Sequence, residues 1–273
     1  NEAERKVLEN ISATPDIRLA CQLAPKHNLE VATLLPASIS AAPDSITRDK
    51  FEWGVEQTVT IMFADLRGFT SASEEKLPYD VVFLLNQYLG QMSTAIETSG
   101  GYVDKFIGDG IMAIFGIDHP PERGARDALR AARAMGDVLK ALNMSLAADL
   151  DQPLDIGIGI HTGSAILGRV GVAGRSGALD TKQRITALGD TVNTSNRLET
   201  ACKQLKAQLV VSETTASVSG LDLSTATQAQ ISVKGKRRKI NVLAFQHAMD
   251  LPQQDKPARV FSKKQQLNAA RSA

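Results

Sequence analysis

The sequence predicts an α/β chain of the α+β kind, a mixed sheet flanked by helices, and three observations predict it. The run Thr58-Val-Thr-Ile-Met-Phe-Ala64 alternates with the two-residue period of a strand. Residues 102 to 116 are two short β-rich runs meeting at Gly108-Asp109-Gly110, a strong short-range hairpin signal. Segments 79–98 and 121–148 each carry apolar residues at steps of three and four, the stripe of an amphipathic helix. With 273 residues and 43% hydrophobic content, the chain has the apolar mass for one main domain with appendages.

In chain order, residues 2–11 suit a short helix, and Leu29-Glu-Val-Ala-Thr-Leu-Leu35 is extended up to Pro36. Residues 37–50, rich in Ala, Ser, Pro and Asp, read as a linker, and the main domain begins near Phe51. The first strand stops at Asp65-Leu-Arg-Gly-Phe-Thr70. In the helix that follows, Val82, Leu85, Leu89, Met92 and Ile96 form the expected buried stripe, and Ser99-Gly100-Gly101 ends it. Pro120-Pro121 opens the second helix, with Ala125, Ala128, Leu129, Ala132, Met135, Leu139 and Leu142 on its buried side and its charges on a solvated face.

The next strand, Leu154-Asp-Ile-Gly-Ile-Gly-Ile-His161, alternates Ile with Gly, so it lets another backbone approach closely. His161 has no His or Cys spaced to share a metal and is given a structural role. Residues 168–184 form a Gly-rich basic loop from which Arg175, Lys182 and Arg184 can reach phosphate. Asp190 is expected to cap a third helix, on which Asn193 and Arg197 share a face at i and i+4. A strand at 208–212, a short helix, a strand at 229–233, the basic turn 234–239, a strand at 240–245 and a polar, unpacked tail beyond His247 complete the chain.

Two acids carry the chemistry. Asp65 closes the first strand and Asp109 sits at the hairpin tip, so both reach one edge of the sheet. Carboxylates that close repel unless a cation lies between them, and the expected cation is Mg²⁺, one or two ions. Composition adds exclusions. Lys and Arg total 31 against 30 Asp and Glu, which leaves no electrostatic footprint for nucleic acid or an anionic membrane. No apolar run is long enough to span a bilayer, and no signal peptide precedes the first helix. The two cysteines, Cys21 and Cys202, lie in unlike contexts and suit a reducing, cytoplasmic compartment better than a disulfide framework. The chain begins at Asn1, as a piece of a longer protein does, and an upstream membrane anchor is compatible with it.

The ordered motifs then resemble a family. The strand with Asp65, the Lys105-Phe-Ile-Gly-Asp109 hairpin, the helix Gly189-Asp-Thr-Val-Asn193-Thr-Ser-Asn-Arg197 and Val233-Lys234-Gly-Lys are similar to the class III nucleotidyl cyclase catalytic domain across residues 54–247. The resemblance implies a ferredoxin-like βαββαβ core. It implies Asp65 and Asp109 as metal ligands, with the carbonyl of Leu66 beside them, for Mg²⁺ or Mn²⁺, two per site. Asn193 and Arg197 are implied as the catalytic pair that orients the ribose and stabilises charge on the α-phosphate, and Lys234 as a contact to the triphosphate.

Lys105 stands where adenylyl cyclases keep Lys and guanylyl cyclases usually keep Glu; a Lys donor suits adenine N1. Thr186 stands where animal adenylyl cyclases often have Asp, which resembles a Thr-containing bacterial and soluble-type subclass, some of whose members respond to bicarbonate. The expected function is an adenylate cyclase turning ATP into 3′,5′-cyclic AMP and pyrophosphate. It is expected as a homodimer, with the aspartates of one chain facing the Asn, Arg and Lys of the other. A guanylate cyclase and a catalytically inactive nucleotide-binding cyclase homology domain stand as alternatives, and a polymerase-palm or diguanylate-type enzyme as a more distant one.

Upstream, Pro15-Asp-Ile-Arg-Leu-Ala-Cys21-Gln22 resembles the end of a plant or adrenodoxin-type [2Fe-2S] ferredoxin. The other three ligands would lie before Asn1, so a cluster is expected only in a longer chain. The implied organisation is a ferredoxin-like remnant at 1–36, a linker at 37–53, the cyclase domain at 54–247 and a tail at 248–273.

Overall fold

A computed structural model describes residues 51, 54–68, 77–147, 150, 152–169, 185–232 and 239–253. The expected helix at 2–11, the ferredoxin-like remnant with Cys21, the linker up to residue 50, Arg175, Lys182, Arg184 and Lys234 lie outside the described residues.

Strand β1 (Val55–Arg67) runs through the middle of the sheet, antiparallel to β3 (Gly110–Phe115) on one side and β4 (Asp155–Arg169) on the other. Its positions Val59 to Ala64 are buried without interruption, because layers cover both faces. Met62, Ala64 and Leu66 face a core with helices α1 (Pro78–Thr98) and α2 (Pro121–Ser145). Val59, Ile61 and Phe63 face the opposite side with Met112, Ile114 and Leu167. Strand β2 (Tyr102–Ile107) pairs with β3 to complete the βαββαβ start, in the spatial order β2-β3-β1-β4.

The chain then adds β5 (Ile185–Leu188) beside the far end of β4, α3 (Asp190–Leu205), β6 (Leu209–Ser212), α4 (Glu213–Ser219), β7 (Thr227–Ile231) and β8 (Ile240–Phe245). The eight-stranded sheet continues from β4 through β6, parallel to it, to β8 and β7. The expected mixed sheet flanked by helices is the fold.

Several local expectations are corrected. The buried stripe of α1 is Leu84, Tyr88, Met92, Ala95 and Ile96, while Val82 is 56% exposed and Leu85 and Leu89 are only partly buried. Residues 81–85 are apolar on every side, so two stripes fit the sequence equally, and packing into the core shared with α2 and β2 selects the second. The seven predicted positions of α2 are all buried. The helix N-cap before α3 is Gly189, at φ 132°, with Asp190 as first helical residue; a backbone so far into positive φ favours glycine there. Asp190 then contributes its charge to the positive end of the helix instead of a cap.

The hairpin turn is Gly108-Asp109, since Ile107 pairs with Gly110, and Gly108 at φ 65° is the left-handed residue. The tail does not begin at once: Ala248 and Leu251 are fully buried, and the Arg133 guanidinium caps the carbonyls of Met249 and Leu251. His161 places Nδ1 2.8 Å from Ser212 Oγ, at one end of a hydroxyl chain through Thr215 and Thr162 to Thr60.

Candidate active site

The pairing of β1 explains why Asp65 is available. On the β3 side the ladder ends at Ala64 with Ile111, whereas on the β4 side it continues through Asp65 with Gly157 to Arg67 with Asp155. Asp65 is therefore fixed by β4 but freed toward the hairpin tip. Its Oδ1 lies so close to Gly110 that a Cβ there would sit 3.1 Å away, which sets the carboxylate against the residue following Asp109. Burial, and next the charge of Asp109, push the Asp65 carboxyl up to about 6, against a smaller opposing pull from the Leu66 N–H.

Two hard oxygen donors, one of whose charges raises the proton affinity of the Asp65 carboxyl, are a fitting donor set for Mg²⁺ or Mn²⁺. Mg²⁺ is commonly held by one or two carboxylates with substrate phosphates and water completing the shell. Among the described residues no group of three or more His, Cys, Asp or Glu side chains is placed to hold a metal.

More acid surrounds this pair than the sequence indicates. Glu199 on α3 and Arg67 meet over Gly157: a Cβ on that glycine would lie 2.7 Å from Glu199 Oε1 and 3.3 Å from Arg67 Nη2. Arg67 Nη2 also donates to the Ala207 carbonyl at 2.6 Å, and Nη1 lies 3.6 Å from Asp155. Burial first, then Asp65, push the Glu199 carboxyl up to about 7, with Arg67 pulling it back. Tyr88, fully buried on α1, keeps a hydroxyl without a hydrogen-bond partner among the described residues; burial and then the charges of Asp65, Asp109 and Glu199 hold its proton firmly. A glutamate two residues past Arg197 was the available signal for Glu199; Tyr88 gives none, being one apolar-looking helix position among many.

Asn193 and Arg197 are exposed on α3, one turn apart, and make no side-chain hydrogen bond to another described residue. The helix carrying them is anchored by Ser195, whose Oγ is 2.8 Å from the Ile61 carbonyl and 2.9 Å from that of Gly159. Lys105 and Thr186 are brought together: Lys105 Nζ donates to Thr186 Oγ1 at 2.9 Å. These residues lie on β2 and β5, on opposite sides of the β3-β1-β4 strands, so the sheet curls until its edge strand meets β5.

The raised Asp65 carboxyl gives a pH prediction. Its ordinary value is 3.8 and its folded value about 6, so the folded chain keeps a proton that the unfolded chain has released. That stabilising contribution is present at low pH and is lost as pH rises through about 6. A divalent ion competes with the same proton, so its affinity follows the reverse course. The rise in melting temperature given by Mn²⁺ is expected to be small at about pH 5 and to reach its plateau near pH 8, measured by calorimetry at fixed ionic strength. A Mn²⁺ effect of equal size at both values contradicts the assignment of Asp65.

A ferredoxin-like start extended by a parallel β4–β6 step, with paired aspartates at one sheet edge, is the architecture of nucleotidyl cyclase catalytic domains. The family model for the adenylate and guanylate cyclase catalytic domain matches residues 53–246, and the chain belongs to that family. Among relatives, the adenylate cyclase of Anabaena cylindrica is 34% identical over 211 residues, 74% of this chain and 39% of that protein. The terminal-differentiation specific adenylate cyclase of Dictyostelium discoideum is 35% identical over 190 residues, 68% of this chain and 8% of that one. Rat guanylate cyclase 2G is 31% identical over 223 residues, 79% of this chain and 19% of that protein. The chain thus spans well under half of the relatives it matches.

Among solved structures, the guanylyl cyclase Cya2 superposes with a TM-score of 0.59 at 31% identity, covering 70% of this chain and 92% of that one. The adenylyl cyclase CyaB from P. aeruginosa gives 0.59 at 28% identity, covering 75% and 99%. Among the described residues no helix is long and apolar enough to cross a membrane.

Proposed function

We propose that this chain is an adenylate cyclase, converting ATP to 3′,5′-cyclic AMP and pyrophosphate in a homodimer with shared sites. The observation that carries the choice of base is the Lys105–Thr186 contact, which puts an ammonium donor and a hydroxyl on one spot. Adenine offers an acceptor at N1 and a donor at its 6-amino group, and such a pair matches both.

Asp65 and Asp109, with the Leu66 carbonyl, hold the divalent ions. Bound there, Mg²⁺ or Mn²⁺ supplies positive charge that makes the ribose 3′-hydroxyl easier to deprotonate and steadies the triphosphate. The 3′-oxygen bonds to the α-phosphorus, the bond from that phosphorus to the bridging oxygen breaks, pyrophosphate leaves and the hydroxyl proton passes to solvent. Asn193 orients the ribose and Arg197 meets charge growing on the α-phosphate, both reaching across from the partner chain. Their exposure and lack of a side-chain hydrogen bond to another described residue support that role. Lys234 is proposed to contact the triphosphate, and residues 54–247 are the catalytic domain between the linker at 37–53 and the tail.

The test is incubation of the purified chain with ATP or GTP and Mn²⁺ or Mg²⁺, with chromatographic analysis of products. Cyclic AMP is expected as the main product, with GTP converted at least about tenfold less efficiently. Cyclic GMP as the main product supports the guanylate cyclase reading, which the guanylate cyclases among the relatives keep in view. No cyclic product with either nucleotide supports the inactive-domain reading.

A further inference from the structure

Asp104 has no part in the function above, yet it is a carboxylate only 4% exposed on the edge strand of the sheet. A bulge puts it there. Val103 pairs with Ala113 and Lys105 with Met112, so Asp104 is the extra residue of β2. Two successive side chains, Val103 and Asp104, are thereby buried, and Lys105 changes face.

A buried carboxylate needs partners. Thr186 Oγ1 donates to Asp104 Oδ2 at 2.6 Å, and Lys105 Nζ stands 3.4 Å from the same oxygen while donating to Thr186 Oγ1 at 2.9 Å. The three polar atoms close a triangle.

The hydrogen-bond inventory of that triangle has a direction. A hydroxyl has one proton and two lone pairs, and an ammonium has three N–H groups. Asp104 takes the proton of Thr186, and Lys105 occupies one of its lone pairs. A single lone pair remains, so the hydroxyl, ambivalent by itself, faces a ligand only as an acceptor. Lys105 spends one N–H on Thr186 and turns another toward Asp104, which leaves one donor. Adenine's edge, a 6-amino donor beside the N1 acceptor, complements this arrangement. Guanine's edge, a 6-oxo acceptor beside the N1–H donor, is its reverse. A Thr186 free to turn its proton outward would serve either base.

We propose that Asp104 is a positioning residue for base choice: it holds Thr186 as an obligate acceptor, so that the Lys105–Thr186 pair admits a 6-amino purine and rejects a 6-oxo purine. The proposal rests on the adenylate cyclase reading and deepens it. Asp104 acts through Thr186 and touches no substrate atom.

The experiment compares the unaltered chain, Asp104→Asn, and Asp104→Asn combined with Thr186→Asp. It measures kcat/KM for ATP and GTP, and Kd for 3′-deoxy-ATP and 3′-deoxy-GTP, which cannot cyclise. Charge-assisted hydrogen bonds are about twice as strong as neutral ones, so a neutral amide loosens the hold on the Thr186 proton. The ATP-to-GTP ratio is expected to fall about tenfold in both turnover and binding. In the double variant a carboxylate at position 186 accepts without help, and the ratio recovers.

Equal losses on both nucleotides with an unchanged ratio overturn the role of Asp104 and leave the adenylate cyclase reading standing. An unaltered chain that prefers GTP overturns that reading, and this proposal with it. Where Asp104→Asn yields no folded protein, Thr186→Val decides: a lost ATP preference supports the scheme, and a retained one overturns it.

Discussion

Asp65→Ala is expected to lower cyclic nucleotide formation by on the order of 10³-fold, because on the proposed reading it removes half of a two-carboxylate metal site and with it the charge stabilisation an ion held there would supply. The fold should not suffer. Asp65 is half-buried beside a like charge, and its raised carboxyl marks it as a group the folded chain holds at a cost once it is ionised. The variant should therefore melt at or above the temperature of the unaltered chain near pH 8, where Asp65 carries its charge.

Asn193→Ala should be comparably silent, about 10²–10³-fold down, for a different reason: it removes the donor proposed to orient the ribose. The two defects separate if the site is shared between chains. In an equimolar mixture half of the dimers are heterodimers, and each has one site with both aspartates and both α3 side chains intact. Activity should return to about a quarter of the unaltered level, since half the dimers carry one working site of two. A chain bearing both substitutions should stay silent in the same mixture. A mixture no more active than the sum of its parts would remove the shared-site assembly from the account.

How far the sequence carried this reading depends on which physical signal each residue leaves. Asp65 and Asp109 were legible because a strand period and a turn dipeptide bracket them, and both signals are local. Asn193 and Arg197 were legible as a helical i, i+4 pair. Asp104 was not, because alternation assumes one residue per rung, and a single bulge between Val103 and Lys105 shifts every side chain beyond it to the other face. Thr186 was reachable only by resemblance: β5 is four residues long, too short for a period to show, and its contact with β2 depends on the curl of the whole sheet. Glu199 drew no reading from the sequence, being a charge within a helix. Its burial comes from how closely α3 approaches β4, which no charge pattern reports.

That approach fixes the second large effect. Gly157 and Gly159 read in the sequence as a strand inviting a neighbouring backbone, and the neighbour is α3. A Cβ on Gly159 would fall inside van der Waals contact with the Glu199 nitrogen and the Ser195 carbonyl oxygen, and only 2.8 Å from the Glu199 Cα. All three are main-chain atoms of a helix whose Ser195 is pinned to the carbonyls of Ile61 and Gly159, so no rotamer change relieves the clash.

Gly159→Ala is expected to cost about 3 kcal/mol or more, as overpacking against backbone does, and to lower the melting temperature by about 10 °C. It should also abolish the proposed cyclase activity, because α3 carries the proposed catalytic pair Asn193 and Arg197 and sets the distance from Glu199 to Asp65. The same substitution at Gly90, exposed on α1 with nothing within 4 Å of the added methyl, should instead stabilise by about 0.5–1 kcal/mol, the ordinary preference of a helix for Ala over Gly. Thermal melts of the two variants decide the point. Opposite signs are required, and a Gly159→Ala chain as stable as the unaltered one would mean that α3 does not lie against β4 as described.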